Sequence, residues 1–304
     1  FETMVIELSS LKSEYRYGLD MLEKLLLDPN ISKNSLDKIK LMSVSSILQK
    51  ESDFDYFANK GLIQSLFKDT PFQNNSLGTK NSIESIELND ITNFIKTHIV
   101  LENLVVVAGG DISIDELKSS INNILNNINL LGKKNLDIEP FKANSDAKTV
   151  HIVKEETQQA YIYFGAPLDI SSDSEDRYKA KVASFILGSS GFGSRLMEEI
   201  RVKQGLAYSV YSNFNIEKTR SYFKGYLQTK LDKQDEAISS VKIILKDFVT
   251  NGVTEEELKN AKDFIIGSEP LRNETLGQRL SKMLSLYYQG LNPNYAKDEL
   301  DKIE

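Results

Sequence analysis

The chain alternates between stretches of helical periodicity and short apolar runs of strand character. Phe1-Glu-Thr-Met-Val-Ile-Glu-Leu8 alternates in the manner of a strand. A helix is predicted from about Glu14 to Leu27, with Leu19, Leu22 and Leu26 on one face and Asp28-Pro29 as its stop. A second is predicted after Ser35, read as its cap, running past Ile39, Met42 and Ser46 towards Gln49; helical pattern resumes from Phe54 to Leu66. Turn residues (Pro71, Asn74-Asn75, Gly78-Thr79) lead to a short helix near Asn89–Thr97. Asn103–Ala108 then reads as a buried strand ended by Gly109-Gly110, and Ile114 to Ile128 as an amphipathic helix. Periodicity disappears between Leu131 and Lys148, which predicts a linker. Strands are expected over Thr149–Val153 and Gln159–Phe164. The acidic stretch Ser171–Asp176 opens a helix reaching about Leu187, its charges matched to the helix dipole rather than to a metal.

A shift of 222 positions lays the first part of the chain on the second without gaps for over forty residues. Phe1–Leu8 falls on Phe223–Lys230, and Leu19, Met21, Leu22 and Leu26 fall on Val241, Ile243, Ile244 and Phe248. The expected architecture is therefore α/β: two homologous units, each a mostly antiparallel sheet with helices packed on one face. The boundaries read as 1–130 for the first unit, 131–148 for the linker and 149–304 for the second. Each unit lacks counterparts of elements present in the other, so both chain ends read as truncated.

Composition narrows the chemistry. A net charge of −7, with basic residues interspersed among more numerous acidic ones, argues against nucleic acid as a main partner. No apolar run approaches the roughly 18 residues needed to span a bilayer. Cysteine is absent, which removes disulfides, thiol catalysis and cysteine-ligated zinc. Gly188, Gly191 and Gly193 are not followed by the Lys-Ser/Thr of a phosphate-binding loop. His98 and His151 have no ligand spacing and read as structural or exposed imidazoles.

The most informative run is Gly193-Ser-Arg-Leu-Met-Glu-Glu-Ile-Arg201-Val-Lys-Gln-Gly205-Leu-Ala-Tyr208-Ser-Val-Tyr211-Ser212. It predicts a helix that stops at a glycine and turns directly into a strand, with a guanidinium on the last helical turn and a phenol at the start of the strand. This run resembles the Arg/Tyr substrate-clamping element of the insulinase and mitochondrial-processing-peptidase family of zinc endopeptidases. Asp28-Pro29, Ser76–Thr79 and Asn103–Asp111 extend the resemblance, in order, over nearly the whole chain. It implies that Tyr208 donates to a scissile carbonyl as it becomes an oxyanion and that Arg201 holds the substrate backbone, with Gly205 and Tyr211 as further substrate-binding positions.

The same resemblance implies a zinc site that this chain does not supply. In the family two histidines and a glutamate of an inverted motif, plus a second glutamate on another helix, bind the metal and activate water. The second glutamate falls at Ser46, whose neighbours Ser43, Ser45 and Ile47 offer no carboxylate. The expectation is no metal and no cofactor in this chain, with zinc in a homologous partner subunit that hydrolyses a shared peptide substrate. The alternatives are an inert peptide-binding scaffold, for instance a homodimer, and a full zinc peptidase using a ligand from outside this sequence.

Overall fold

A computed structural model describes residues 3–127, 139–146, 148–153 and 157–304. In chain order the helices α1 (Tyr15–Leu27), α2 (Lys33–Lys50), α3 (Phe54–Leu66), α4 (Lys80–Glu84), α5 (Leu88–His98) and α6 (Ile114–Asn127) come first. They are followed by β1 (Phe141–Lys142), β2 (Gln159–Pro167), α7 (Arg177–Ser184), β3 (Ala207–Ile216) and β4 (Arg220–Lys230). Helices α8 (Gln234–Asn251), α9 (Glu255–Ser268), α10 (Leu276–Tyr288) and α11 (Tyr295–Ile303) complete the chain. The mixed α/β class is the one the sequence implied.

The chain divides into two compact units, the first drawn from Phe1–Gln49 and Ser76–Asp137, the second from Lys50–Asn75 and Ile138–Glu304. The expected boundaries at 130 and 149 do not follow this division. Residues 50–75 belong with the second unit because α3 lies across β2 and fills its apolar cluster. Of the predicted linker, residues 131–138 and 147 lie outside the described residues. Phe141–Lys142 are not linker but a short parallel strand on β4.

In the first unit α1 packs on α6, and Lys12 pairs with Asp111 at 2.7 Å. Leu19 is buried, with Leu22 and Leu26 half-buried on the same face of α1, as the periodicity predicts. Helix α2 starts two residues before the expected Ser35 cap, because the Ser32 hydroxyl accepts from the Ser35 N–H at 3.1 Å and takes the capping role. Two expected strands do not form here. Residues 3–10 and 104–109 carry no strand pairing among the described residues, and Val5, Leu8, Leu104 and Val106 stay exposed. Apolar alternation prepares a strand, but a ladder needs a neighbour to complete it. Residues 149–153, expected as a strand of the second unit, are likewise unpaired. At the 222-residue shift α1 and α2 fall on α8 and α9, whereas residues 3–8 form no strand to set against β4.

In the second unit β4 is the central strand. It pairs antiparallel with β2 from Gln159↔Lys230 to Pro167↔Tyr222 and, on its other edge, with β3 from Ala207↔Thr229 to Ile216↔Ser221. One sheet face is closed by Leu187, Leu196, Ile200, Leu206, Val210, Leu227, Val241 and Ile244, all buried. Each contributes about 1.5–3 kcal/mol by leaving water. Behind this layer, α7, α9 and α11 share a second cluster built on Val182, Ala261, Ile265 and Ile303. The opposite face is partly covered by α3, where Leu66, Phe67 and Tyr222 pack together. Asp53 starts α3 as its N-cap, its carboxylate accepting from the N–H groups of Asp55 and Tyr56 at 3.0 and 3.3 Å.

Candidate functional site

The Arg/Tyr run folds as a helix–turn–strand in which both expected functional side chains sit at irregularities. Residues Phe185–Ser189 and Met197–Lys203 are π-helical. One extra residue per turn widens the helix locally, a device that re-aims side chains and recurs at functional sites. Arg201 lies in the second of these turns, exposed. The helix then ends on Gly205, at φ +63°. The Gly205 N–H donates to the Arg201 carbonyl at 3.2 Å and the Leu206 N–H to the Ile200 carbonyl at 2.9 Å, a closure whose bonds each span one residue more than a Schellman pair, as the π-helical end requires, and the positive φ at its turn favours glycine. A Cβ at Gly205 would meet no atom within 4 Å, so glycine is needed there for its backbone angle and not for space. The buried Thr229 hydroxyl donates to the Leu206 carbonyl and ties the turn to β4.

Tyr208 occupies a β-bulge. The pairing of β3 with β4 shifts between Ala207 and Ser209, so Tyr208 is the unpaired extra residue. Tyr208 is 55% exposed, and its hydroxyl makes no hydrogen bond among the described residues. The guanidinium of Arg201 lies over the ring of Phe192, 4.9 Å from its centroid, and among the described residues it has no carboxylate partner. Phe192 is itself 70% exposed, carried between Gly191 and Gly193, and its loop is pinned by the buried Ser194, which donates to the Gly191 carbonyl at 2.7 Å. The sequence reading missed Phe192; an aromatic residue between two glycines beside the helix start is the signal it offered.

Tyr211, on β3, stacks with the buried Tyr226 of β4 at 5.0 Å between ring centroids. Burial pushes the Tyr211 hydroxyl above the ordinary phenol range, and its interaction with Tyr163 works in the opposite direction. Tyr163 is raised further, first by burial and then by the charge of Asp55, and Tyr226 is pushed up to about 12, chiefly by burial. Beside them burial lowers the Lys224 ammonium, with the Arg220 charge acting in the same sense.

A second arginine missed by sequence reasoning holds the helix in place. Arg195 forks onto Glu257, Nε to Oε1 at 2.8 Å and Nη2 to Oε2 at 2.5 Å. It also reaches Asp247 at 3.1 Å and the Gly252 carbonyl at 3.0 Å. Glu257 is simultaneously the third residue of the capping box that starts α9 at Thr254. The capping pattern Thr254-Glu-Glu-Glu257 is local in sequence, whereas its link to Arg195 spans 62 residues.

Ser46 lies in the first unit on α2, exposed, with Ser45 donating to the Leu41 carbonyl at 2.8 Å. Among the described residues no group of three or more His, Asp or Glu gathers where a metal could be held. The residues present do not fit the family's zinc. His98 stacks on Phe94 at 4.5 Å, and His151 is exposed.

Comparison with known proteins gives the same reading from another direction. Residues 85–264 match the family described as "Peptidase M16 inactive domain". The chain is 44% identical, over its whole length and 69% of the relative's, to the Helicobacter pylori protein named "Non-peptidase homolog YmxG". It is 24% identical, over 88% of its length and 63% of the relative's, to the Bacillus subtilis "Uncharacterized zinc protease YmxG". It therefore spans between six and seven tenths of the length of these relatives. Among solved structures, a peptidase M16 inactive domain from Pseudomonas fluorescens superposes with a TM-score of 0.87 at 22% identity, covering 96% of this chain and 69% of that one, which establishes a shared fold. The family match over more than half of the chain, together with the Helicobacter relative, places this chain in the peptidase M16 family, as a protein carrying its inactive domain.

Proposed function

We propose that this chain is a substrate-holding subunit of an M16-type peptidase, working with a homologous partner that carries the zinc. The observation that supports it most directly is the pairing of a π-helical turn with a β-bulge around one glycine-closed helix end, which leaves the Arg201 and Tyr208 side chains exposed and, among the described residues, without hydrogen-bond or ion-pair partners. Apart from the Phe192 ring against the Arg201 guanidinium, the polar atoms of these two side chains are left available. In this reading the partner's metal activates water. Tyr208 donates its phenolic proton to the carbonyl oxygen as negative charge develops there. Arg201, always charged and presenting a planar fork, holds a neighbouring carbonyl of the peptide. The outer edge of β3, which has no strand partner among the described residues, offers a place for an extended peptide to add as a strand.

The test is peptide hydrolysis by the full-length protein, alone and mixed with a zinc-bearing M16 homologue from the same organism. Activity confined to the mixture supports the proposal. Tyr208→Phe should then cost on the order of 10²–10³ in kcat, the effect of losing one oxyanion donor, with complex formation unchanged. Unchanged turnover would sink it. The name of the 44% identical relative, "Non-peptidase homolog", favours a second reading, an inert peptide-binding scaffold. Silence in both assays, from a complex shown to be assembled, selects that one.

A further inference from the structure

Phe192 is an apolar ring that the fold does not use for packing. It is 70% exposed, belongs to none of the three buried apolar clusters and stacks on no other ring among the described residues. Its backbone is nonetheless fixed. Gly191 and Gly193, on either side of it, hold φ at +71° and +90°, a region that residues with a Cβ rarely adopt. Ser194, wholly buried, closes the loop: its N–H at 3.1 Å and its hydroxyl at 2.7 Å both donate to the Gly191 carbonyl. The group set on this ring is the Arg201 guanidinium, 4.9 Å from the centroid.

Carboxylates were at hand as a different anchor. Glu198 and Glu199 precede Arg201 by three and two positions in the same π-helical turn, yet neither pairs with it among the described residues. Glu199 is taken by Lys203 at 2.6 Å. The two kinds of anchor differ in what they leave free. A carboxylate fixes a guanidinium by accepting from its N–H groups and offsetting its charge, so those donors are lost to anything that binds. A ring face attracts the cation through its quadrupole and takes none of the five donors. With no anchor at all, an exposed arginine spreads over its rotamers and must give up that freedom on binding.

We propose that Phe192 is the positioning residue for Arg201: its ring holds the guanidinium in place while leaving the charge and every N–H donor to a peptide carbonyl. This rests on the peptide-holding function proposed above and adds a residue to it. Phe192 acts only through Arg201 and itself touches no peptide. Losing the ring therefore costs the ordering of one side chain on binding. For a cation–ring contact at an exposed site, that is a change of about two- to fivefold in affinity.

Two measurements test this, and they fail separately. The first uses the full-length protein without a partner and follows the Arg201 Nε–H nuclear magnetic resonance, assigned by its loss in Arg201→Gln. Phe192→Leu should move it downfield, because the shielding of the ring face is removed, and Phe192→Tyr, which keeps the face, should not. No movement in Phe192→Leu overturns the proposal, whatever the protein binds. The second is binding of a fluorescein-labelled, capped octa-alanine peptide with one solubilising lysine to the complex with the zinc-bearing homologue. The zinc is stripped by chelator so that the peptide stays whole. Phe192→Leu should weaken binding about two- to fivefold, with the urea midpoint unchanged, and Phe192→Tyr should bind like wild type. In the Arg201→Gln background, Phe192→Leu should make no difference. Equal weakening in both backgrounds, or none in either, overturns the positioning role. If the wild-type complex does not bind the peptide, the peptide-holding function falls and the part of Phe192 in it falls too. The resonance still decides whether the ring holds the guanidinium.

Discussion

Arg195→Ala is the substitution whose cost can be worked most fully from the structure. The side chain is 11% exposed and grips Glu257, 25% exposed, through two charge-assisted hydrogen bonds in a fork. Exposed pairs contribute about 0–1 kcal/mol, whereas breaking a buried pair costs about 3–5 kcal/mol. This pair lies between, nearer the buried limit. The contact with Asp247, 52% exposed, adds little. The guanidinium also lies over the Phe248 ring at 5.1 Å, a contact of roughly 0.5–1 kcal/mol. A destabilisation of about 3 kcal/mol follows. At a urea m-value near 3 kcal/mol/M, this moves the midpoint by about 1 M. Tyrosine fluorescence is the natural probe, since the chain has 13 tyrosines and no tryptophan.

The pH dependence supplies a check that packing alone would not produce. The hydrogen bond from Arg195 holds the Glu257 carboxyl below its usual value of 4.5. A group depressed in the folded state stabilises fully above its unfolded pKa and loses that contribution as pH falls through the folded one. The gap between wild type and Arg195→Ala should therefore be constant near neutrality and shrink below about pH 4.5. A midpoint shift under about 0.3 M at pH 7, or a gap that does not shrink at low pH, would refute the reasoning.

Three further outcomes follow from backbone geometry and capping. In Gly188→Ala the new Cβ would lie 2.5 Å from the Ser212 backbone nitrogen, where neither element can yield cheaply; a loss of about 1–3 kcal/mol is expected in the same urea assay. Gly205→Ala meets no neighbour but must hold φ near +63°, so about 1 kcal/mol is expected. If the Arg201–Tyr208 turn serves peptide hydrolysis, kcat of the assembled complex should fall in that variant by more than its stability loss explains. Asp53→Ala removes the cap of α3 and should cost about 1 kcal/mol, read by urea unfolding.

What the sequence made legible was local. Faces such as Leu19, Leu22 and Leu26 declare themselves within a few residues, and the helical pattern read through Phe54 to Leu66 falls on α3. The failures needed information from elsewhere in the chain. Residues 3–8 read as an alternating strand and 104–108 as a buried apolar one, but pairing is a property of two segments. Nothing in Phe54–Leu66 says which surface its apolar face will cover. At the candidate site, the residue types and the glycine stop were readable. The bulge at Tyr208 was not, because it depends on how β3 is registered against β4, and neither were the π-helical turn and the contact of Arg201 with Phe192, which no local residue pattern declares.

The interleaving of the two units bears on how this protein can be cut, copied and inherited. The chain passes from one unit to the other three times, so the second unit is not a contiguous stretch of sequence. A clone beginning at residue 149 would retain Arg201 and Tyr208 yet lack both α3 and β1, uncovering Tyr222 and stripping Asp55 from Tyr163. No single genetic crossover can exchange the unit intact. A fragment carrying residues 50–75 in trans, or a gene that joins 50–75 to 139–304 with 76–138 removed, would be needed to recover it. Loss of activity in a simple C-terminal truncate would accordingly say nothing about the Arg/Tyr element it still contains.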